Sequence, residues 1–185
     1  MADLTYTTAA SDKDLIGIMA LQQQNLASHL APDEINSQGF VTVVHSLQEL
    51  QQMNAIEPHI ICKDGDTVVA YLLAMTSRSQ HDIPVLVPMF EMFKQMDYSG
   101  KPIADHQYIV VGQVCIDKAY RGKGILDNCY ACYKNSFQSG YEFAITEIAT
   151  RNQRSVKAHQ RIGFKELYRY MSPDNEEWSI VVWQW

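Results

Sequence analysis

Residues 114–132 read VCIDKAYRGKGILDNCYAC. An apolar, strand-like run (Val114, Cys115, Ile116) passes into Arg121-Gly122-Lys123-Gly124-Ile125-Leu126, and a helical pattern follows that stops near Gly140. A helix start leaves several backbone N–H groups without partners and carries partial positive charge. Glycines let such a backbone approach an anion closely. Arg121 and Lys123 add charge, so the stretch reads as an anion-binding turn between a strand and a helix. A P-loop would need four residues between its glycines and a Lys-Ser/Thr after the second. A dinucleotide fingerprint would need a third glycine, and position 127 is Asp.

Downstream, residues 142–149 (EFAITEIA) read as a strand. Asn152 to Ile162 reads as a helix with Gly163 as its stop. Lys165 to Tyr170 and Trp178 to Gln184 read as two strands around the turn Pro173-Asp174-Asn175. Upstream, residues 107–117 form the strand that enters the turn, and Gly112 inside it predicts a bulge or a close backbone approach. Residues 77–106 form a variable excursion, limited by Pro84 and Pro88 to loops and one helix. Met89, Met92, Phe93 and Met96 share a face of that helix, as core or as a lid over a substrate site. Asp64-Gly65-Asp66 joins Ile60–Lys63 to Thr67–Thr76 as a hairpin. Ser46 and Glu49 fit a capping box for a helix from Leu47 to Met53. A short helix from Asp33 to Gly39, a helix from Asp12 to Leu26 capped by Ser11, and a strand at residues 4–9 complete the order. The fold class is α/β (α+β): a mixed sheet with helices on both faces.

The 185 residues suit one domain, 1–185, with a variable insert at about 77–106. Fifteen Lys+Arg against twenty-one Asp+Glu give a net charge of −6, which argues against broad nucleic-acid or anionic-membrane binding. The longest apolar run, Val68 to Met75, is far short of the ~20 residues of a membrane helix. The start, MADLTYTTAASDKD, lacks the features of a secretory signal, so a cytoplasmic location is expected. Cys129-x-x-Cys132 lies inside the helical pattern with no further ligands at tight spacing, so no metal site is expected.

Arg121-x-x-Gly124 and the segment Asn152-Gln153-Arg154-Ser155-Val156-Lys157-Ala158-His159-Gln160-Arg161-Ile162-Gly163-Phe164 together resemble the GNAT superfamily of acyl-CoA-dependent N-acyltransferases. The pyrophosphate loop of that family runs Gln/Arg-x-x-Gly-x-Gly/Ala, and here Leu126 takes the last position. Its later motif is Asn-x-x-Ala/Ser, then Tyr four residues on, then Gly-Phe. Asn152, Ser155, Gly163 and Phe164 match, and His159 replaces the Tyr. The resemblance implies a mostly antiparallel central sheet of about seven strands. It also implies acetyl-CoA as cosubstrate, splayed between the strands holding Val114–Ile116 and Ile145–Ala149. Pantetheine would pair with Val114, Cys115 and Ile116, and the pyrophosphate with Gly122, Lys123, Gly124, Ile125 and Leu126. Arg121, Asn152 and Ser155 would complete the cofactor site, and the N–H near Cys115 would polarise the thioester carbonyl.

The implied activity is direct transfer of an acetyl group to a primary amine, either a small molecule or a peptide, with no nucleic acid or membrane involved. An acceptor pocket is expected from residues 20–40 and the 77–106 insert. His159 stands where the family's Tyr protonates the leaving thiolate, and an imidazolium can donate that proton; packing or contact with CoA is the alternative. Glu147, Asp117, His106 and Tyr108 are candidates for a base, with Glu147 foremost, whereas Gln113 cannot accept a proton usefully. Cys115 reads as core rather than as a nucleophile. Arg151, Arg154, Lys157 and Arg161 form a basic stripe, either for CoA phosphates or as a solvated face. A non-catalytic acyl-CoA sensor and a transferase of longer acyl groups remain alternatives. A homodimer is possible if the strand from Trp178 to Trp185 forms a sheet edge.

Overall fold

A computed structural model of the protein describes residues 3–29, 40–41, 43–81 and 86–185. The strands are β1 (Leu4–Thr8), β2 (Ile60–Asp64), β3 (Thr67–Met75), β4 (Asp97–Tyr98), β5 (Lys101–Pro102), β6 (Tyr108–Ile116), β7 (Phe143–Ala149), β8 (Lys165–Met171) and β9 (Glu177–Gln184). The longer helices are α1 (Asp12–Gln24), α2 (Leu47–Ile56), α3 (Val87–Lys94), α4 (Ile125–Phe137) and α5 (Gln153–Ile162). The helix expected from Asp33 to Gly39 lies outside the described residues.

Local chemistry sets several boundaries. Ser11 accepts from the Asp14 amide to start α1. Ser46 and Glu49 form the expected capping box of α2, which runs on to Ile56. Gly65, at φ +56°, turns the β2–β3 hairpin. Gly163, at φ +117°, closes α5.

Seven strands form one sheet in the order β1-β2-β3-β6-β7-β9-β8. All neighbours are antiparallel except β6 and β7. The helices cover both faces. Tyr71, Leu73 and Met75 of β3 join Leu15 and Ile18 of α1, Leu50 and Met53 of α2, and Phe90 and Phe93 of α3. The alternate residues Ala70, Leu72 and Ala74 face Cys129, Tyr130 and Tyr133 of α4 on the other side. This period-two division is what a sheet buried on both faces requires. At ~1.5–3 kcal/mol for each fully buried large apolar side chain, these two layers supply the main stabilisation of the fold.

The described helix of the insert packs against the core. Met89 and Phe93 are buried, and Met92 and Met96 pack partly buried against the same core. The small β4–β5 hairpin was not anticipated; its two-residue strands are too short to show a period. The C-terminal strand β9 pairs with β7 on one side and β8 on the other, so it is interior and offers no edge for a dimer.

Candidate active site

The site begins with a failure of pairing. β6 and β7 are parallel neighbours only from Tyr108 to Val110 against Phe143 to Ile145. Beyond that point the strands diverge, with the Thr146 hydroxyl still donating to the Val111 carbonyl at 2.7 Å. The bulge predicted at Gly112 helps to bend β6 away. The β3–β6 register slips between Leu72 and Ala74, opposite Gly112 and Gln113. A Cβ on Gly112 would run into the side chain of Met75, which is buried and would have to shift to admit it.

A cavity of about 510 Å³ opens where the strands part. Val114, Cys115, Ile116, Arg121, Gly122, Gly124, Ile125, Leu126, Asn152, Ser155 and His159 all line it, so almost every residue expected in a cofactor site is gathered around one space. Lys123 is the exception: it is outside the wall, with its ammonium 5.1 Å from the centre of the Tyr120 ring. The Asp117 amide donates to Val69 of β3 at 2.9 Å. Strand alternation therefore turns the Cys115 N–H toward β3 and those of Val114 and Ile116 toward the cavity. The outward-facing N–H groups near Cys115 are thus those of Val114 and Ile116, on either side of it.

At the far end, Gly122 and Gly124 have φ of +76° and +74°, conformations that favour glycine. Gly124 is the N-cap of α4 and supplies no side-chain cap, so the first-turn amides present their positive end to the cavity. Arg121 supports this turn from within: its Nε donates to the Ile116 carbonyl at 3.0 Å and its Nη2 to Asn25 Oδ1 at 2.7 Å. The basic stripe divides. Arg154 and Arg161 line the cavity, whereas Arg151 is bound to Glu176 at 2.6 Å and lies over the Phe40 ring. Arg161 also pairs with Asp127, joining the N-terminal turn of α4 to α5.

Asn152 caps α5 by accepting from the Ser155 amide at 3.2 Å, and its Nδ2 donates to the Phe40 carbonyl at 3.3 Å. One turn on, His159 is only 4% exposed. Its Nδ1 lies 2.8 Å from the Ser155 carbonyl, which can only accept, so Nδ1 carries the proton. Nε2 then accepts from the Tyr130 hydroxyl at 2.7 Å. Burial lowers the His159 pKa to about 4. The expected imidazolium donor is therefore corrected: this ring is neutral at pH 7, and its one N–H is directed at its own helix.

A second, smaller cavity of about 110 Å³ adjoins the first and shares Phe40, Val41, Val114, Asn152, Ser155 and His159 with it. Glu147 lines it. Tyr170 of β8 donates to Glu147 Oε2 at 2.6 Å across the intervening strand β9. Desolvation outweighs that hydrogen bond and raises the Glu147 pKa to about 7. The other sequence candidates for a base do not line either cavity. The Asp117 side chain accepts from the Ala119 amide, His106 is held by Glu142 and the Tyr98 carbonyl, and Tyr108 stacks on Phe143. Cys115 is buried and its thiol is pushed up to about 12, which keeps it protonated and agrees with the core reading. Among the described residues no His/Cys/Asp/Glu group suited to a metal is found, and no helix is long and apolar enough to cross a membrane.

Sequence reasoning missed Tyr130 and Tyr170. Tyr130 looks like any apolar position on a helix, and Tyr170 becomes a partner of Glu147 only through the β7-β9-β8 order. Gln113 carries more structure than expected. Its Oε1 accepts from Tyr71 at 2.5 Å and from Gln22 at 2.8 Å, and its Nε2 donates to the Val43 carbonyl at 2.9 Å.

No protein-family model and no curated protein sequence matches the chain. Solved structures do match its shape. The structure of the NatC complex bound to Gag peptide and CoA aligns with a TM-score of 0.65 at 10% identity, covering 98% of each chain. The ribosomal-protein-S18-alanine N-acetyltransferase from Escherichia coli aligns with a TM-score of 0.62 at 12% identity, over 98% of this chain and 93% of that one. A protein of the GNAT family from Desulfovibrio desulfuricans aligns with a TM-score of 0.64 at 9% identity, over 98% of each. The chain has the GNAT fold. The larger cavity lies in the gap beyond the parallel β6–β7 pair.

Proposed function

We propose that this protein is an acetyl-CoA-dependent N-acetyltransferase acting on a primary amine. One observation carries the reading: a single cavity unites the outward amides of the splayed strand β6 with the uncapped N-terminus of α4, and a carboxylate of raised pKa lines the adjoining space. Backbone donors at one end suit a pyrophosphate. The Val114 and Ile116 amides suit the pantetheine and the developing oxyanion. Leu126 does not remove those donors, because they are backbone groups. The named N-acetyltransferase among the structural neighbours and the neighbour with CoA support the same reading.

In this mechanism the acceptor ammonium meets Glu147, which takes one proton and leaves a neutral amine. A base with a pKa near the working pH is well suited to that step. The amine lone pair attacks the thioester carbonyl carbon, negative charge gathers on its oxygen, and the C–S bond breaks. The second proton leaving the nitrogen passes to the departing thiolate to give the neutral amide and the free CoA thiol, while Glu147 returns its proton to solvent. His159 acts by position: it ties Tyr130 of α4 to Ser155 of α5 and shapes the wall shared by both cavities.

Calorimetric titration with acetyl-CoA, CoA and longer acyl-CoAs tests the cofactor, and release of free CoA thiol over an amine and peptide panel tests transfer. One-site binding of acetyl-CoA with amine-dependent thiol release is expected. Absence of binding at high ligand concentration refutes the reading.

A further inference from the structure

The acceptor cavity is chemically one-sided. Val43, Leu86, Met89, Val111 and Trp178 give it apolar walls. Among the described residues, most neutral polar side chains on its surface are already engaged within the protein, and the Ser155 hydroxyl lies 3.3 Å from His159 Nδ1. Gln113 is fixed by Tyr71, Gln22 and Val43; Thr146 donates to Val111; Asn152 caps α5; His159 is held at both ring nitrogens. Glu147 is the acidic residue in the wall, and Tyr170 engages one of its oxygens. The space, about 110 Å³, is smaller than the ~150 Å³ cavity that takes a benzene ring, and so suits an apolar group of about four or five carbons.

From this we infer that the acceptor is a primary monoamine carrying a compact apolar group, with its nitrogen at Glu147 and its carbon chain against Leu86, Met89 and Val43. The inference rests on the proposed acetyl transfer and specifies its substrate class. A second cationic or hydroxyl group at the far end of the chain would meet Val43, Leu86 and Met89, which among the described residues offer no side-chain group to receive it, and an unpartnered buried polar group is strongly disfavoured. The same chemistry has two sources, a free alkylamine and the N-terminal residue of a peptide with a small apolar side chain.

The test measures kcat/KM with saturating acetyl-CoA for ethylamine, propylamine, butylamine and 1,4-diaminobutane, and for the peptides Val-Gly-Gly and Lys-Gly-Gly. Each added methylene should raise kcat/KM about three- to fourfold. Butylamine should exceed 1,4-diaminobutane at least tenfold, and Val-Gly-Gly should exceed Lys-Gly-Gly similarly. A gradient in the alkylamines alone assigns the free amine, and a preference in the peptides alone assigns the chain terminus. Leu86→Asp serves as the complementary variant. Leu86 is the N-cap of α3 with no side-chain cap, but its backbone is helical (φ −92°, ψ −12°) and its side chain is buried. Circular dichroism and thermal unfolding therefore first establish that the variant folds, and the alkylamine series on the unsubstituted protein decides the inference if it does not. The folded variant should bring 1,4-diaminobutane to at least the level of butylamine. Equal or better use of 1,4-diaminobutane and Lys-Gly-Gly by the unsubstituted protein overturns the inference while leaving acetyl transfer standing. If acetyl-CoA binds but no amine turns over, calorimetry of butylamine against 1,4-diaminobutane on the protein–CoA complex separates the two claims. A tenfold preference for butylamine keeps the pocket assignment and removes the transfer reading, and no preference removes both.

Discussion

Replacing Tyr170 with Phe removes one hydrogen bond from the carboxylate of Glu147 and leaves a ring of similar shape in place. That bond is 2.6 Å long and donates to an atom that carries charge when Glu147 is ionised. A hydrogen bond to a charged group contributes ~1.5–3 kcal/mol, part of which water recovers, and 1.36 kcal/mol is about one pKa unit. Glu147 is already raised to about 7 by burial, with Tyr170 pulling in the opposite direction. Tyr170→Phe should therefore move the acidic limb of the kcat/KM–pH profile upward by about one unit. At pH 7 the ionised fraction then falls from about a half to about a tenth, a fivefold loss that vanishes above about pH 9. Thiol release with one acceptor, read as the variant-to-parent ratio across pH, cancels titration of the amine itself. Superimposable limbs would show that Glu147 is not the base or that Tyr170 does not govern it. Glu147→Gln supplies the companion measurement. It should lower kcat/KM by ~10²–10⁴-fold and abolish the limb. A folded-state pKa above the unfolded value means that the stability linked to this proton is present below about 4.5 and is lost as pH rises through about 7. Glu147→Gln should therefore unfold at higher temperature than the parent at pH 8, by an amount on the order of 3 kcal/mol at most, and show little advantage at pH 4.

Gly124→Glu places a charged side chain at a positive-φ position facing the α4 N-terminus, and acetyl-CoA binding should be lost in calorimetry while the circular-dichroism spectrum is retained. His159→Phe leaves the buried Tyr130 hydroxyl without its partner; thermal unfolding should report a loss of ~1–3 kcal/mol, and the pH profile of the surviving activity should keep the limb assigned to Glu147. Gly112→Ala drives a methyl group into Met75, so stability should fall by ~1–3 kcal/mol, and Met75→Ala in the same chain should recover part of it; simple additivity of the two losses would refute the contact.

Much of this architecture was legible in local sequence because local chemistry fixes it. Ser46 with Glu49, Asp64-Gly65-Asp66, and Asn152 before a helix ended by Gly163 are short-range devices whose partners lie within a few residues. The turn at Arg121–Leu126, with Gly122 and Gly124 at positive φ before α4, was legible for the same reason. The parts that escaped depend on sheet order. Glu147 and Tyr170 lie on strands that never touch and meet only across β9. His159 was visible as a residue, but its protonation depends on its burial and on the Ser155 carbonyl at Nδ1, and its Nε2 meets Tyr130 only through the packing of α4 against α5. Arg121 looked like a phosphate ligand, and its bonds to Asn25 and Ile116 became apparent only once α1 and β6 were brought together.

The position of β9 also bears on how the molecule is made. β8 precedes β9 in the chain, yet β9 lies between β7 and β8, with Ile180 and Val182 buried. β8 therefore has no sheet partner until residues 177–184 have been synthesised and inserted. A nascent chain can pair β1, β2, β3, β6 and the start of β7 and form the α4 turn earlier, with the other edge of β7 left open for β9. On the proposed reading, the half of the site assigned to the phosphate should thus mature before the half that orients Glu147, and a chain lacking residues 177–184 would form the first while still lacking Tyr170 beside the carboxylate.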